Sequence, residues 1–159
     1  MIENNEDLFI GIRNGDLKKV KELLVKKPEN INLSDERGFT PIILAAYFNH
    51  LEVVTYLLEM KADINSKDAS GSTALMGSSF KGYEDVVRLL LENGADLNNR
   101  NNMGTTALIY AVTYNHLNIA KHLVAAGADL TIKDERGYTA LDNAKLKGAP
   151  DLINLLKGA

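Results

Sequence analysis

Histidines, a row of aspartates and a recurring glycine are the residues of this chain whose types could do chemistry. Histidine is the commonest metal ligand and the side chain best placed to move protons at neutral pH. A helical metal pair, however, needs two histidines four apart with a carboxylate beside them. His116 and His122 are six apart without such a motif, and His50 lies far upstream. Asp63, Asp96 and Asp129 offer carboxylates, but a calcium loop needs alternating oxygen ligands within about a dozen residues of one segment. These aspartates are 33 residues apart. Aspartate in such loops hydrogen-bonds local backbone N–H groups, and that is the role expected here. The 12 glycines are spread along the chain, which leaves no clustered phosphate-cradling loop. Without cysteine there is no thiolate nucleophile, no disulfide and no thiolate-ligated metal. No catalytic residue or metal ligand is assigned, and neither a cofactor nor enzyme activity is expected.

Spacing is the stronger signal. Gly38-Phe39-Thr40-Pro41, Gly71-Ser72-Thr73-Ala74, Gly104-Thr105-Thr106-Ala107 and Gly137-Tyr138-Thr139-Ala140 recur every 33 residues. Ala62-Asp63, Ala95-Asp96 and Ala128-Asp129 recur in phase, as do Asn49-His50, Gly82-Tyr83, Asn115-His116 and Gly148-Ala149. Self-similarity at this period marks a stack of short units sharing one continuous core. Units roughly 10 Å apart cannot bring His50 and His116, two units apart, to one metal ion.

Each unit reads as turn, helix, tight turn, helix, loop. Thr40 is a helix N-cap whose hydroxyl would satisfy a free N–H, and Pro41 at the first helical position loses no hydrogen bond. Alanine replaces that proline in the other units and is the best helix former. Asn49, Gly82, Asn115 and Gly148 stand where the first helix stops, a left-handed position that glycine and asparagine occupy most cheaply. The second helices carry apolar residues at helical spacing: Leu51, Val54, Leu57 and Leu58; Val86, Val87, Leu90 and Leu91; Ile119, Ala120, Leu123 and Val124.

The run from Gly38 through Thr40-Pro41-Ile42-Ile43-Leu44-Ala45-Ala46, followed by Glu52-Val53-Val54 and Leu57-Leu58, resembles the ankyrin repeat. The resemblance implies an all-α ankyrin-repeat solenoid of helix-turn-helix units with protruding β-turn loops. It divides one domain, 1–159, into a divergent N-terminal unit at 1–34, internal units at 35–67, 68–100 and 101–133, and a truncated C-terminal unit at 134–159. Upstream, Asn14-Gly15-Asp16-Leu17 repeats the hairpin with one residue inserted near Pro28.

Departures from the family pattern are specific. Its usual histidine after the turn is Ile43, Met76, Ile109 and Asp142 here, so the hydrogen bond across the turn is expected to be missing in every unit. Gly77-Ser78-Ser79 replaces Leu44-Ala45-Ala46 of the preceding unit, which makes the first helix of the third unit the weakest in intrinsic propensity. Lys61 stands where Gly94 and Gly127 end a helix in a left-handed turn. Lys145, Lys147 and Asn154 make the last helices more polar, as an end unit requires. Asn65 and Asn98 resemble a loop asparagine that hydroxylases modify in this family; a loop-capping role is the reading preferred here.

Ankyrin proteins bind partners through the turn tips and the ends of the first helices, so the resemblance implies a concave protein-binding face. On this chain the positions are Arg37, Phe39, Tyr47, Phe48, Phe80, Lys81, Met103, Tyr114, Arg136 and Tyr138. Six of them are among the chain's ten aromatic residues, the side chains that binding hot spots favour. The expected strip centres on Phe48, Phe80 and Tyr114, with Arg37 and Arg136 at its rim. Tyr47 and Phe80 can instead pack against the next unit.

Eighteen basic and 21 acidic residues are interspersed and give a net charge of −3, which leaves no basic stripe for nucleic acid or an anionic membrane. No apolar run approaches the roughly 18 residues needed to span a bilayer. Met1 to Asp7 is polar and acidic, unlike a secretion signal. The expectation is a cytoplasmic, monomeric, non-enzymatic adaptor or inhibitor of a protein partner. A scaffold without a selected partner and a small metal or ligand binder are the alternatives.

Overall fold

Threonine followed by proline or alanine starts a helix four times in the computed structural model, which describes residues 5–159. The chain's first residues, Met1 to Asn4, lie outside the described residues, so the reading of a polar start is only partly covered. Ten α-helices come in five antiparallel pairs, with no strand among the described residues. The pairs are α1 (Asn5–Arg13) with α2 (Leu17–Lys26), α3 (Pro41–Tyr47) with α4 (Leu51–Glu59), and α5 (Ala74–Lys81) with α6 (Glu84–Glu92). They continue with α7 (Ala107–Thr113) and α8 (Leu117–Ala125), then α9 (Ala140–Lys147) and α10 (Pro150–Lys157). A 3-10 helix, Pro28–Asn32, follows α2 where the extra residue falls. The architecture is an all-α solenoid of helix-turn-helix units, as the resemblance implies.

Two layers result, the odd-numbered helices packing closely on one another and the even-numbered ones more loosely. Unequal spacing bends the stack toward the first helices, which line the concave side with the turn tips. The core is continuous: Val54, Leu57, Val86, Val87, Leu90, Ala120 and Leu123 are fully buried in the second helices. Leu51 departs from expectation, since it is 39% exposed at the first position of α4 and Val53 takes the inner place. Leu58, Leu91 and Val124 are only partly buried against this core.

Left-handed backbone appears at each position where a first helix stops, with φ of 61° at Asn49, 80° at Gly82, 60° at Asn115 and 63° at Gly148. Lys61 has φ of 64°, the conformation that Gly94 and Gly127 adopt at the ends of α6 and α8. A lysine there is strained and Lys61→Gly should raise stability by up to about 1 kcal/mol. A lower urea midpoint for the variant would contradict this.

Two local expectations need correction. Thr73, Thr106 and Thr139 accept the N–H of Met76, Ile109 and Asp142, but Thr40 does not cap α3. Its hydroxyl pairs instead with Ser66 Oγ at 2.8 Å; the matching positions in the next units are Asn99 and Ile132. The bond across the turn is also not missing everywhere. Asp142 Oδ2 accepts the Thr139 N–H at 3.0 Å and its hydroxyl at 2.8 Å, closing the last turn with a carboxylate where the family uses histidine. These two bonds, the backbone one foremost, hold the Asp142 carboxyl below the usual range.

The weak sequence at 77–79 still forms α5. Ser78 Oγ donates to the Ala74 carbonyl at 2.8 Å, while the fully buried Ser79 Oγ finds no partner among the described residues. Ala46 and Val112 hold the matching sites with no polar atom to satisfy. Ser79→Ala should therefore stabilise by about 1 kcal/mol, the desolvation cost of an unpaired buried hydroxyl. Thermal unfolding of the variant tests it, and an unchanged or lower midpoint would show that the hydroxyl is satisfied.

Candidate functional site

Each turn tip is built on one side chain that the sequence reading missed. Asp35, Asp68, Asn101 and Asp134 are again 33 apart. The Oδ1 atom of each accepts the backbone N–H groups two and four residues on, at distances from 2.8 to 3.1 Å. That pair of bonds folds the tip and projects the residues between. Successive tips are tied by single backbone bonds, from Ala69 N to Arg37 O, Asn102 N to Ser70 O and Glu135 N to Met103 O. The in-phase spacing of these Asp and Asn residues was a signal available in the sequence.

The expected aromatic strip is two clusters. Phe39, Tyr47 and Phe48 form the first, with ring centroids 6.4 and 5.6 Å apart, and Phe48 stacks on the His50 ring. Phe80, Tyr110 and Tyr114 form the second, where Phe80 meets Tyr114 edge-on at 4.6 Å and Tyr110 at 5.7 Å. Tyr110, which the sequence reading passed over, is the hub because its hydroxyl also accepts from Asn101 Nδ2 at 2.9 Å. Between the clusters lie Gly77 and Lys81, whose ammonium sits over the Tyr47 ring. Phe80 is half-buried, as packing required, whereas Tyr47, Phe48 and Tyr114 are exposed by 37, 43 and 50%. Met103 at a tip is 62% exposed.

Arginines at the rim differ in availability. Arg37 is exposed, whereas Arg136 is held by Asp134 Oδ2 at 2.7 Å, by Asn143 Oδ1 at 2.7 Å and over the Tyr138 ring. Burial pushes the Asp134 carboxyl up, but the hydrogen bonds from Arg136 and the Tyr138 N–H outweigh it and leave the group below its usual range. Two grooves open on this face. One of about 780 Å³ runs between α1 and the first tip, floored by Phe9, Leu44 and Tyr47. Another of about 410 Å³ lies between Phe80, Tyr110, Tyr114 and the tip residues Met103 and Glu135.

The histidines serve the frame. His50 Nε2 donates to the Arg13 carbonyl at 2.9 Å and His116 Nε2 to the Phe80 carbonyl at 3.1 Å. Carbonyl acceptors place the proton on Nε2 in both rings. His122 has a partner the sequence reading did not find, since Glu84 Oε1 from the preceding unit lies 2.9 Å from its Nε2. Hydrogen bonds from His122 and then Asn118 hold the Glu84 carboxyl below its usual value. Among the described residues no three potential ligands converge on a metal position.

On the opposite side the loop aspartates act as expected, Asp63, Asp96 and Asp129 accepting the N–H of Asn65, Asn98 and Thr131. Asn32, Asn65 and Asn98 form a ladder, each accepting at 2.8 Å the N–H of the next unit's aspartate. The asparagines thus join units rather than cap their own loops.

Comparison with known proteins matches a family model described as ankyrin repeats, in three copies covering residues 8–101, 73–134 and 98–159. The human DNA-binding protein RFXANK is 48% identical over 48 residues, 30% of this chain and 18% of that protein. The mouse ankyrin repeat and SAM domain-containing protein 6 is 38% identical over 56 residues, 35% of this chain and 6% of that protein. The NAD-dependent deacetylase sir2B of Dictyostelium discoideum is 43% identical over 53 residues, 33% of this chain and 7% of that protein. The aligned stretches are thus short segments of much longer relatives.

Proposed function

The chain belongs to the ankyrin-repeat family, and from that premise we propose that it is a non-enzymatic adaptor or inhibitor that grips a protein partner with its concave face. Ankyrin repeats are in general protein-interaction modules without catalysis. The observation that carries the reading is the exposure of Tyr47, Phe48, Met103, Tyr114 and Tyr138 together on the tips and first-helix ends. Large apolar side chains in solvent on one face lower the free energy on burial against a partner and supply hot spots. Phe39 and Phe80 support them from below, Arg37 and Arg136 give the rim its charge, and Lys81 lies between the two clusters.

A monomer with no cofactor goes with this reading, in which the five units of the one domain, 1–159, act together. No described helix is long and apolar enough to cross a membrane. The interspersed charges and net charge of −3 favour a protein over nucleic acid or a membrane as partner. The deacetylase and DNA-binding names belong to relatives whose matched portions are under a fifth of their length.

The test is affinity capture from a lysate of the source cells, with the Phe48→Ala/Phe80→Ala/Tyr114→Ala variant alongside and circular dichroism confirming that both are folded. Hot-spot aromatics are worth about 2 kcal/mol each, so the variant should retain less than a tenth of any specific partner. Equal capture by both proteins would remove the concave face as the binding surface.

A further inference from the structure

We infer that the partner is held by an arginine side chain that enters the concave face at Gly77 and pairs with Asp68 Oδ2; the inference rests on the protein-binding reading above. The four tip residues Asp35, Asp68, Asn101 and Asp134 use Oδ1 alike, so what distinguishes them is the outer atom. Asp35 Oδ2 receives Arg13 Nη2 at 3.2 Å, and Asp134 Oδ2 receives Arg136 Nη2 at 2.7 Å. Asn101 Nδ2 donates to the Tyr110 hydroxyl. Asp68 Oδ1 accepts from Ser70 N, Ser70 Oγ and Ser72 N, and no described side chain reaches its Oδ2.

The difference between the tips has a cause in the sequence. Tyr110 and Asn143, which stand nine residues after Asn101 and Asp134, engage the outer side of those tips. Nine residues after Asp68 stands Gly77, and a Cβ built there would meet only the Tyr47 ring edge at 4.0 Å. Tyr110 reaches its tip residue at hydrogen-bond distance, so by the repeat the equivalent place beside the partly exposed Asp68 is left unfilled at Gly77, with Tyr47 the nearest side chain. The Lys81 ammonium lies over the Tyr47 ring and makes no ion pair with Asp68.

Charge complementarity asks for a cation, and the geometry asks for a flat one. Arginine already fills the matching place in two other tips of this chain, and Arg136 combines its carboxylate contact with stacking on Tyr138 at 5.2 Å. A guanidinium can present two parallel N–H donors to a carboxylate while lying along a ring, which an ammonium cannot.

Two substitutions isolate the site without threatening the fold. Asp68→Asn keeps the Oδ1 acceptor and removes the charge, and Asn101 shows that asparagine builds the same tip. Gly77→Tyr fills that place as Tyr110 does one unit later. The experiment selects a displayed library of random twelve-residue peptides on the wild-type protein and measures the leading synthetic peptide by titration calorimetry. Arginine at a fixed peptide position is expected. Asp68→Asn should weaken binding about tenfold to a hundredfold, Gly77→Tyr should abolish it, and Asp68→Asn should have no effect on a peptide whose arginine is alanine. Peptides that need Phe48, Phe80 and Tyr114 but carry no arginine, or that ignore Asp68→Asn, would overturn the inference and leave the binding function standing. No peptide retained by the wild type over the triple aromatic variant would remove both.

Discussion

Leu90→Ala should lower the free energy of unfolding by about 3 kcal/mol, within the range of about 2 to 5 for leucine truncations in well-packed cores. Leu90 is fully buried on the inner face of α6, in the unit with two neighbours on each side. Stability in a stacked array is the sum of each unit's own term and its interfaces, so damage to a central unit weakens two interfaces together. The third unit is also the one with the weakest first helix, where Gly77 lacks a side chain and Ser79 an acceptor. Little internal stability is left there to absorb the cavity. Urea unfolding followed by circular dichroism gives the number. A loss under about 1 kcal/mol would mean that the neighbours collapse into the space.

Gly82→Ala should lower stability by about 2 kcal/mol, and the same substitution made in a His116→Ala chain should cost only about 1 kcal/mol. Two causes add. A side chain at φ of 80° costs about 1 kcal/mol. An added Cβ would also lie 2.7 Å from His116 Cε1 and 3.0 Å from its Nδ1. The ring must move, and its hydrogen bond to the Phe80 carbonyl, worth about 1 kcal/mol, is weakened. Removing the ring leaves only the backbone term for the alanine. Gly148→Ala is the control, since nothing lies within 4 Å of its Cβ position, and only the backbone cost applies. A double-mutant cycle showing no coupling between Gly82 and His116 would refute the contact.

The same contact explains why the residue that stops the first helix alternates along the chain. Gly15 and Gly82 are each followed one unit later by a histidine, His50 and His116, whose ring covers the glycine. Asn49 and Asn115 adopt the same backbone, but the next units present Tyr83 and Ala149. Glycine is required where a histidine follows, and asparagine suffices where none does. Both residue types were legible as helix stops, yet the sequence alone treats them as equivalents, because their difference lies in a neighbour about 34 residues away.

Legibility in this protein follows the range of the interaction. The helix starts at Pro41, Ala74, Ala107 and Ala140, the left-handed turns and the strain at Lys61 could be read from the residues alone, because φ preferences and helix capping act within a few neighbours. The candidate contact residues came instead from the family resemblance, carried onto the tips and helix ends position by position. Only the tertiary structure divided the aromatics into two clusters, gave Thr40 to Ser66 and Glu84 to His122, and left Ser79 Oγ without a partner among the described residues. Each of those outcomes depends on which side chain an adjoining unit or turn happens to present at hydrogen-bond distance. A repeat fixes where such positions face one another, while the pairing itself is decided by packing in three dimensions.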